Sequence, residues 1–287
     1  MDREEIFLQI RNIKNLPTLP GVAGRILEVT SDGESGAKEL AGIIANDQSM
    51  SAKVLNLANS AFYGFSRQIT TIPQAVVVLG FDAVRGLALG VSVYETLPVP
   101  TNVDSFDREA FWIHSIGCGT AAKIIANALN YRDTGTFFVA GLLHDLGKVV
   151  LDTYFSDQYQ RVVHHLVTEG GESVSTEEEI IKVNHAEVGG WLAFRWRFPD
   201  ILVNAIEHHH DPDSADEAFI KETSIVYLAD VLTRRAGIGL FYEMVEVDSA
   251  LLQSNLDLTD DKVEKMAGEL EKEKEGISEF FSYLSAG

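Results

Sequence analysis

Apolar positions recur at helical spacing over most of the chain. Residues 6–13 carry such a pattern until Leu16-Pro17-Thr18-Leu19-Pro20 interrupts it. The next helix is predicted over 21–30, and Ser31-Asp32-Gly33-Glu34-Ser35-Gly36 reads as a loop. The pattern resumes over 37–45, with Leu40, Ile43 and Ile44 on one face. Asp47-Gln48-Ser49 can cap a further helix, in which Val54, Leu55, Leu57 and Ala58 recur. Thr71 ahead of Pro73 suits a helix start, with Gly80 as the stop. Asp82 is then expected to cap a helix toward Tyr94. Val76-Val77-Val78 has strand character, but Pro73 and Gly80 leave little length for a strand.

Pro98, Pro100, Thr101 and Asn102 form the best boundary. It divides the chain into an N-terminal helical subdomain, 1–103, and a C-terminal helical subdomain, 104–287. Long helical patterns follow over 107–130, 136–154, 184–197, 199–210 and 220–235. Residues 258–284 form an acidic, mixed-charge helical tail, for which a solvated amphipathic helix is favoured over a partner helix. The fold class is therefore all-α and two-lobed, without internal repeats or low-complexity tracts.

The formal charge of −20 changes the picture of partners. Such a field repels phosphate backbones, so general nucleic-acid binding is disfavoured. A small phosphorylated ligand stays compatible where bound cations reverse the local sign. Cys118 is the single cysteine, which excludes an intrachain disulfide and fits a reducing compartment. The start, Met1-Asp2-Arg3-Glu4-Glu5, lacks an apolar signal core, and no apolar run is long enough to span a bilayer. A cytoplasmic protein is expected, with no membrane association.

The chemistry sits in histidines and aspartates set among apolar residues. "GLLHDLGKVVL" places His144 beside Asp145, with Lys148 one turn on. Lys148 either steadies a phosphate oxygen or forms a plain ion pair with Asp145, worth little if exposed. His114 lies in "FWIHSIGCGTAA", where Gly117, Cys118, Gly119, Ala121 and Ala122 let another helix approach closely. Alone, His114 reads as a buried histidine bonded to a backbone carbonyl. In "NHAEVGG", Asn184 and Glu187 form a capping-box pattern that makes His185 the first helical residue. The helix dipole there favours neutral imidazole, the form that ligates metals, and Gly189 is expected to leave room beside the ring. "AIEHHHDP" ends a helix with three histidines, of which at least one must face inward. Asp230, in "SIVYLADVLTRRAG", needs a partner if buried: a metal, or Arg234 at i+4.

A histidine, then His-Asp, then further histidines, then a distal aspartate resembles the HD superfamily of metal-dependent phosphohydrolases. The resemblance is to its HDOD branch (HD-related output domain) and spans roughly residues 9–235. It rests on "LPTLPGVAGRILEV", "ELAGIIANDQSMSAKVLNLANSAFYG" and "ITTIPQAVVVLGFDAVRGLAL" in the first half. In the second half it rests on "WIHS", "GLLHDLGKVVL", "NHAEVGGWLAFRWRFP", "AIEHHHDP" and "LADVL". The resemblance implies His209 and His210 as ligands and leaves His208 solvated. The implied set is then His114, His144, Asp145, His185, His209, His210 and Asp230, enough for one or two divalent ions. Mixed N/O ligation favours Fe or Mn, with Zn, Ni or Mg as alternatives. Asp145 would bridge two ions and Lys148 would steady phosphate, the two residues with catalytic roles in an active form.

HDOD proteins are similar to bacterial signalling and regulatory modules, so protein partners in a signalling pathway are expected. The alternative is an active phosphohydrolase, a phosphodiesterase on a nucleotide or cyclic dinucleotide. Two departures bear on it. The related HD-GYP phosphodiesterases follow the double histidine with Asp-Gly and Gly-Tyr-Pro, whereas here "DPDSADEAF" follows. Position 110 is alanine, so a carboxylate for a third ion is absent there. Phe62, Tyr63 and Phe65 are expected at an interdomain core, or less readily a ligand cleft.

Overall fold

The computed structural model describes residues 3–13, 18–29, 33–60, 63, 67–97, 106–239 and 247–286. Among these residues all regular structure is helical, as the hydrophobic spacing requires. The first six helices are α1 (Arg3–Arg11), α2 (Gly21–Glu28), α3 (Gly33–Ala45), α4 (Gln48–Ala58), α5 (Ile72–Leu79) and α6 (Phe81–Thr96). Local chemistry sets several of their ends. The Asp47 carboxylate accepts from the Met50 N–H and starts α4, and Thr71 does the same for α5 through Gln74. Val76-Val77-Val78 is helical, because Thr71 and Pro73 commit that stretch before a strand can form.

Two expectations in this half change. Residues 33–36 belong to α3 rather than to a loop. Helix α6 starts at Phe81, so Asp82 lies in its first turn instead of capping it. The turn itself is made by Gly80 at φ +93°, a conformation open to glycine at low cost. Phe62 and Phe65 lie outside the described residues. Tyr63 packs against the core, and the Lys123 ammonium lies 5.1 Å from its ring centroid. The boundary expected at 103/104 also lies outside the described residues.

The remaining helices are α7 (Arg108–Ala128), α8 (Gly135–Leu143), α9 (Leu146–Tyr154), α10 (Ser156–Thr168), α11 (Ser173–Ile180), α12 (His185–Arg195), α13 (Asp200–His208) and α14 (Ile220–Arg235). They are followed by α15 (Ser249–Leu256), α16 (Asp260–Lys272) and α17 (Lys274–Ser285). Helix α7 is central: it packs on α8, α14, α16 and α17. Its small residues permit this. A Cβ at Gly119 would come within 2.7 Å of the Phe138 carbonyl oxygen, and one at Gly117 within 2.8 Å of the Thr233 and Ile238 side chains.

The acidic tail is amphipathic, as its pattern implied, but it is docked rather than solvated. Val263, Met266, Leu270, Ile277, Phe280 and Leu284 are buried. Helix α17 packs on both α7 and α4, so the tail joins the first half of the chain to the second. Burying an apolar side chain of this size stabilises by roughly 1.5–3 kcal/mol. No helix among the described residues is long and apolar enough to cross a membrane.

Candidate metal centre

The predicted helix over 136–154 is two helices. The chain breaks at His144-Asp145, with Asp145 at φ −92°, ψ 11°, outside helical geometry. Packing imposes the break. A Cβ at Gly141 would meet the Cys118 backbone at 2.6 Å, so α8 is pressed onto α7. A Cβ at Gly147 would overlap the His185 carbonyl oxygen, so α9 is pressed onto α12. Two contact directions within six residues do not fit one straight helix. Gly189, expected to clear space for the His185 ring, instead packs against Gly147 and Ile206. It serves the approach of α12 to α9.

The break turns Asp145 inward among four histidines. Its Oδ2 lies 3.3 Å from His144 Nε2 and 3.8 Å from His114 Nε2. Its Oδ1 lies 3.1 Å from His185 Nε2 and 3.7 Å from His209 Nε2. His210 Nε2 is 2.9 Å from His185 Nε2. Asp230 Oδ1 lies 3.0 Å from His114 Nε2 and 3.7 Å from His144 Nε2. All seven predicted residues therefore meet in one place. They come from α7, the α8–α9 break, α12, the end of α13, and α14. His208 stays apart, with its Nδ1 2.8 Å from Ser214 Oγ.

Two groups share Asp145. His114, His144 and Asp145 bring their donor atoms within 4.8 Å of one another, as do Asp145, His185, His209 and His210. His144 Nε2, His209 Nε2 and Asp145 Oδ1 are buried without a hydrogen-bond partner. Buried polar atoms without partners carry a cost, and these three, gathered around the Asp145 carboxylate, fit cation binding there. The opposite ring nitrogens are already committed. Nδ1 of His144 donates to the Gly141 carbonyl at 2.7 Å, Nδ1 of His209 to that of Ile206 at 2.8 Å, and Nδ1 of His114 to that of Ile238 at 3.3 Å. Each bond leaves Nε2 as the nitrogen that could face a cation. This residue set fits divalent ions.

Lys148 Nζ donates to Asp145 Oδ2 at 2.7 Å, and its side chain is 9% exposed. The pair is buried, so the reading of a weak surface ion pair does not apply. Of the two partners expected for Asp230, Arg234 is in place. Arg234 Nε donates to Oδ1 at 2.9 Å and Arg234 Nη2 lies 2.8 Å from Oδ2, while His114 approaches Oδ1.

Sequence reasoning missed Glu177. It lies on α11, fully buried, and its Oε2 accepts from both the backbone N–H and the Nδ1 of His185 at 2.7 Å each. The only available signal was a glutamate eight positions before His185 in a charged helix, "STEEEI", where the next two glutamates, Glu178 and Glu179, are exposed. The capping box of Asn184 and Glu187 forms as expected.

Electrostatics follow from burial and neighbours. Burial opposes charge on Asp145, yet His144, Lys148 and His185 hold its carboxyl well below the usual carboxylate range. Burial likewise opposes charge on Asp230, and Arg234 and His114 hold it well below that range. Burial pushes His209 down to about 4 and His210 well below the ordinary value. His185 behaves otherwise than the helix dipole implied: burial lowers it, but Glu177 and Asp145 raise it above its ordinary value.

The sequence pattern of the HDOD domain matches residues 16–212. The chain belongs to the HDOD family. An HDOD domain protein of unknown function from Geobacter sulfurreducens superposes with a TM-score of 0.83 at 26% identity, covering 99% of this chain and 98% of that one. A Shewanella amazonensis protein with the provisional name phosphohydrolase has a TM-score of 0.75 at 25% identity, covering 98% of each chain. Ribonuclease Y of Thermus thermophilus is 33% identical over 120 residues, 42% of this HDOD chain and 16% of that enzyme. An uncharacterised Treponema pallidum protein is 24% identical over 77% of this chain, which spans 43% of that protein's length.

Proposed function

We propose that this HDOD protein is a cytoplasmic regulatory module built around a two-ion divalent-metal centre, acting through protein partners in a signalling pathway. The observation that carries the metal reading is the division of the Asp145 carboxylate. Its Oδ2 faces the His114–His144 side and its Oδ1 the His185–His209 side. One ion would be held by His114, His144, Asp145 and Asp230, the other by Asp145, His185, His209 and His210. Fe or Mn suits this mixture of imidazole and carboxylate, with Zn, Ni and Mg as alternatives. The division into subdomains 1–103 and 104–287 is part of this reading, with the first half offering the partner surface.

A second reading, a metal-dependent phosphohydrolase, is favoured by one contact: the Lys148 ammonium on the bridging carboxylate. When bound, two divalent ions supply Lewis-acid neutralisation of a phosphoryl group. Lys148 would steady a phosphate oxygen beside Asp145, and Asp145 would keep both halves of the centre in register. The names of the Shewanella and Thermus relatives also support this reading. "DPDSADEAF" after His210 lacks the loop of the cyclic dinucleotide enzymes, so a small phosphorylated ligand is the broader expectation.

The test is metal content after purification without chelators, followed by turnover of bis(p-nitrophenyl) phosphate with Mn²⁺ or Fe²⁺ under reducing conditions. Bound metal without turnover supports the regulatory module. Turnover lost in Asp145→Ala supports the enzyme. Protein that takes up no divalent ion overturns both.

A further inference from the structure

The two halves of the centre are supported differently from behind. On the first side, His144 and His114 are oriented by neutral backbone carbonyls, those of Gly141 and Ile238. The contact to His114 is the longer, at 3.3 Å. The carboxylate on that side, Asp230, is also engaged at both oxygens by Arg234. A cation there must share Asp230 with a guanidinium.

On the second side, His185 is backed by a carboxylate. Glu177 Oε2 accepts from Nδ1 at 2.7 Å and from the His185 backbone N–H at 2.7 Å, which also pins the first residue of α12. Glu177 is 0% exposed, and its Oε1 has no hydrogen-bond partner. A full negative charge in that position is costly unless positive charge accumulates nearby. His185 is the route by which an ion at Nε2 would compensate it. A carboxylate on the far nitrogen also fixes the tautomer and raises the basicity of the ligating one.

We propose that Glu177 is a positioning residue that makes the two halves unequal, so that the His185–His209–His210 half takes its ion first and more tightly. This rests on the two-ion reading above. Metal occupancy would then be graded: a tightly held ion on the α12–α13 side and a weaker one on the α7–α14 side.

The experiment is titration of the full-length, metal-free protein with Mn²⁺, following free Mn²⁺ by electron paramagnetic resonance. Wild type is expected to show two unequal steps. Glu177→Gln should weaken the tighter step by about 10–100-fold and leave the weaker step in place. Asp230→Asn should do the reverse. Equal steps in wild type, or a Glu177→Gln protein with both steps unchanged or both weakened alike, overturn the inference. A folding defect in the variant is bypassed by the proton spectrum of metal-free wild type. There the His185 Nδ1–H shared with Glu177 should give a strongly downfield, exchange-protected signal, and its absence also overturns the inference. Wild type that binds one equivalent of Mn²⁺ or none removes the two-ion reading itself. Two steps insensitive to Glu177 remove only the inference.

Discussion

His185 Nε2 sits 3.1 Å from Asp145 Oδ1, although forty residues separate them and they stand at the starts of two different helices. The contact exists because α9 and α12 approach through Gly147 and Gly189, where no side chains intervene. The centre therefore depends on a glycine seam as much as on its histidines.

Gly147→Ala tests that seam. The added methyl would overlap the His185 carbonyl oxygen, which belongs to backbone and cannot swing aside. Destabilisation of about 3 kcal/mol is expected, at the upper end of ordinary overpacking. Metal uptake should fall with it. Urea denaturation and metal analysis of the same preparation measure both, and a variant with unchanged midpoint and unchanged uptake refutes the seam argument.

Asp145→Ala should abolish metal uptake in both halves, because each half faces one oxygen of that carboxylate. It also leaves the Lys148 ammonium buried without its closest partner. The metal-free variant should be less stable than metal-free wild type by about 3–5 kcal/mol. Asp145→Ala paired with Lys148→Met should recover part of that loss without restoring metal. Calorimetric melting of wild type, Asp145→Ala, Lys148→Met and the double variant separates the two effects.

Phe280→Ala tests whether the tail is a structural part of the fold. Phe280 is 2% exposed and its ring lies 5.9 Å from that of Phe138 on α8. A loss of about 3–5 kcal/mol is expected from the transfer and cavity terms together. A freely solvated tail would give a change near zero in the same denaturation experiment.

Asp82 gives a pH test away from the histidines. Burial, then Asp133, raises its carboxyl above the ordinary value, and Arg85 opposes them. A carboxyl raised in the folded state binds its proton more tightly there than in the unfolded chain. Its charge therefore costs stability at neutral pH, and the cost fades as pH falls through the raised folded value toward the ordinary one near 3.8. Asp82→Asn should melt higher than wild type at pH 7, and the two should converge toward pH 4. A constant offset across that range would assign the effect to packing.

Much of this protein was legible in its residues. Helical spacing determined an all-α fold, and Asn184 with Glu187 determined the start of α12. Histidines and aspartates among apolar residues drew attention to His114, His144, Asp145, His185 and Asp230, whereas His209 and His210 were singled out from "AIEHHHDP" by the HDOD resemblance. Three things required the tertiary structure. The break at His144-Asp145 is invisible in a continuous apolar pattern, because it arises from glycine contacts with α7 and α12 rather than from local propensity. The docking of the tail depends on what its apolar face meets, and a pattern states only that such a face exists. Glu177 looks like one more acid in a charged run, and only the packing of α11 beside α12 buries it against His185. A sequence records which groups can ionise or ligate. Which of them lose water, and therefore interact strongly, is decided by the neighbours the fold supplies.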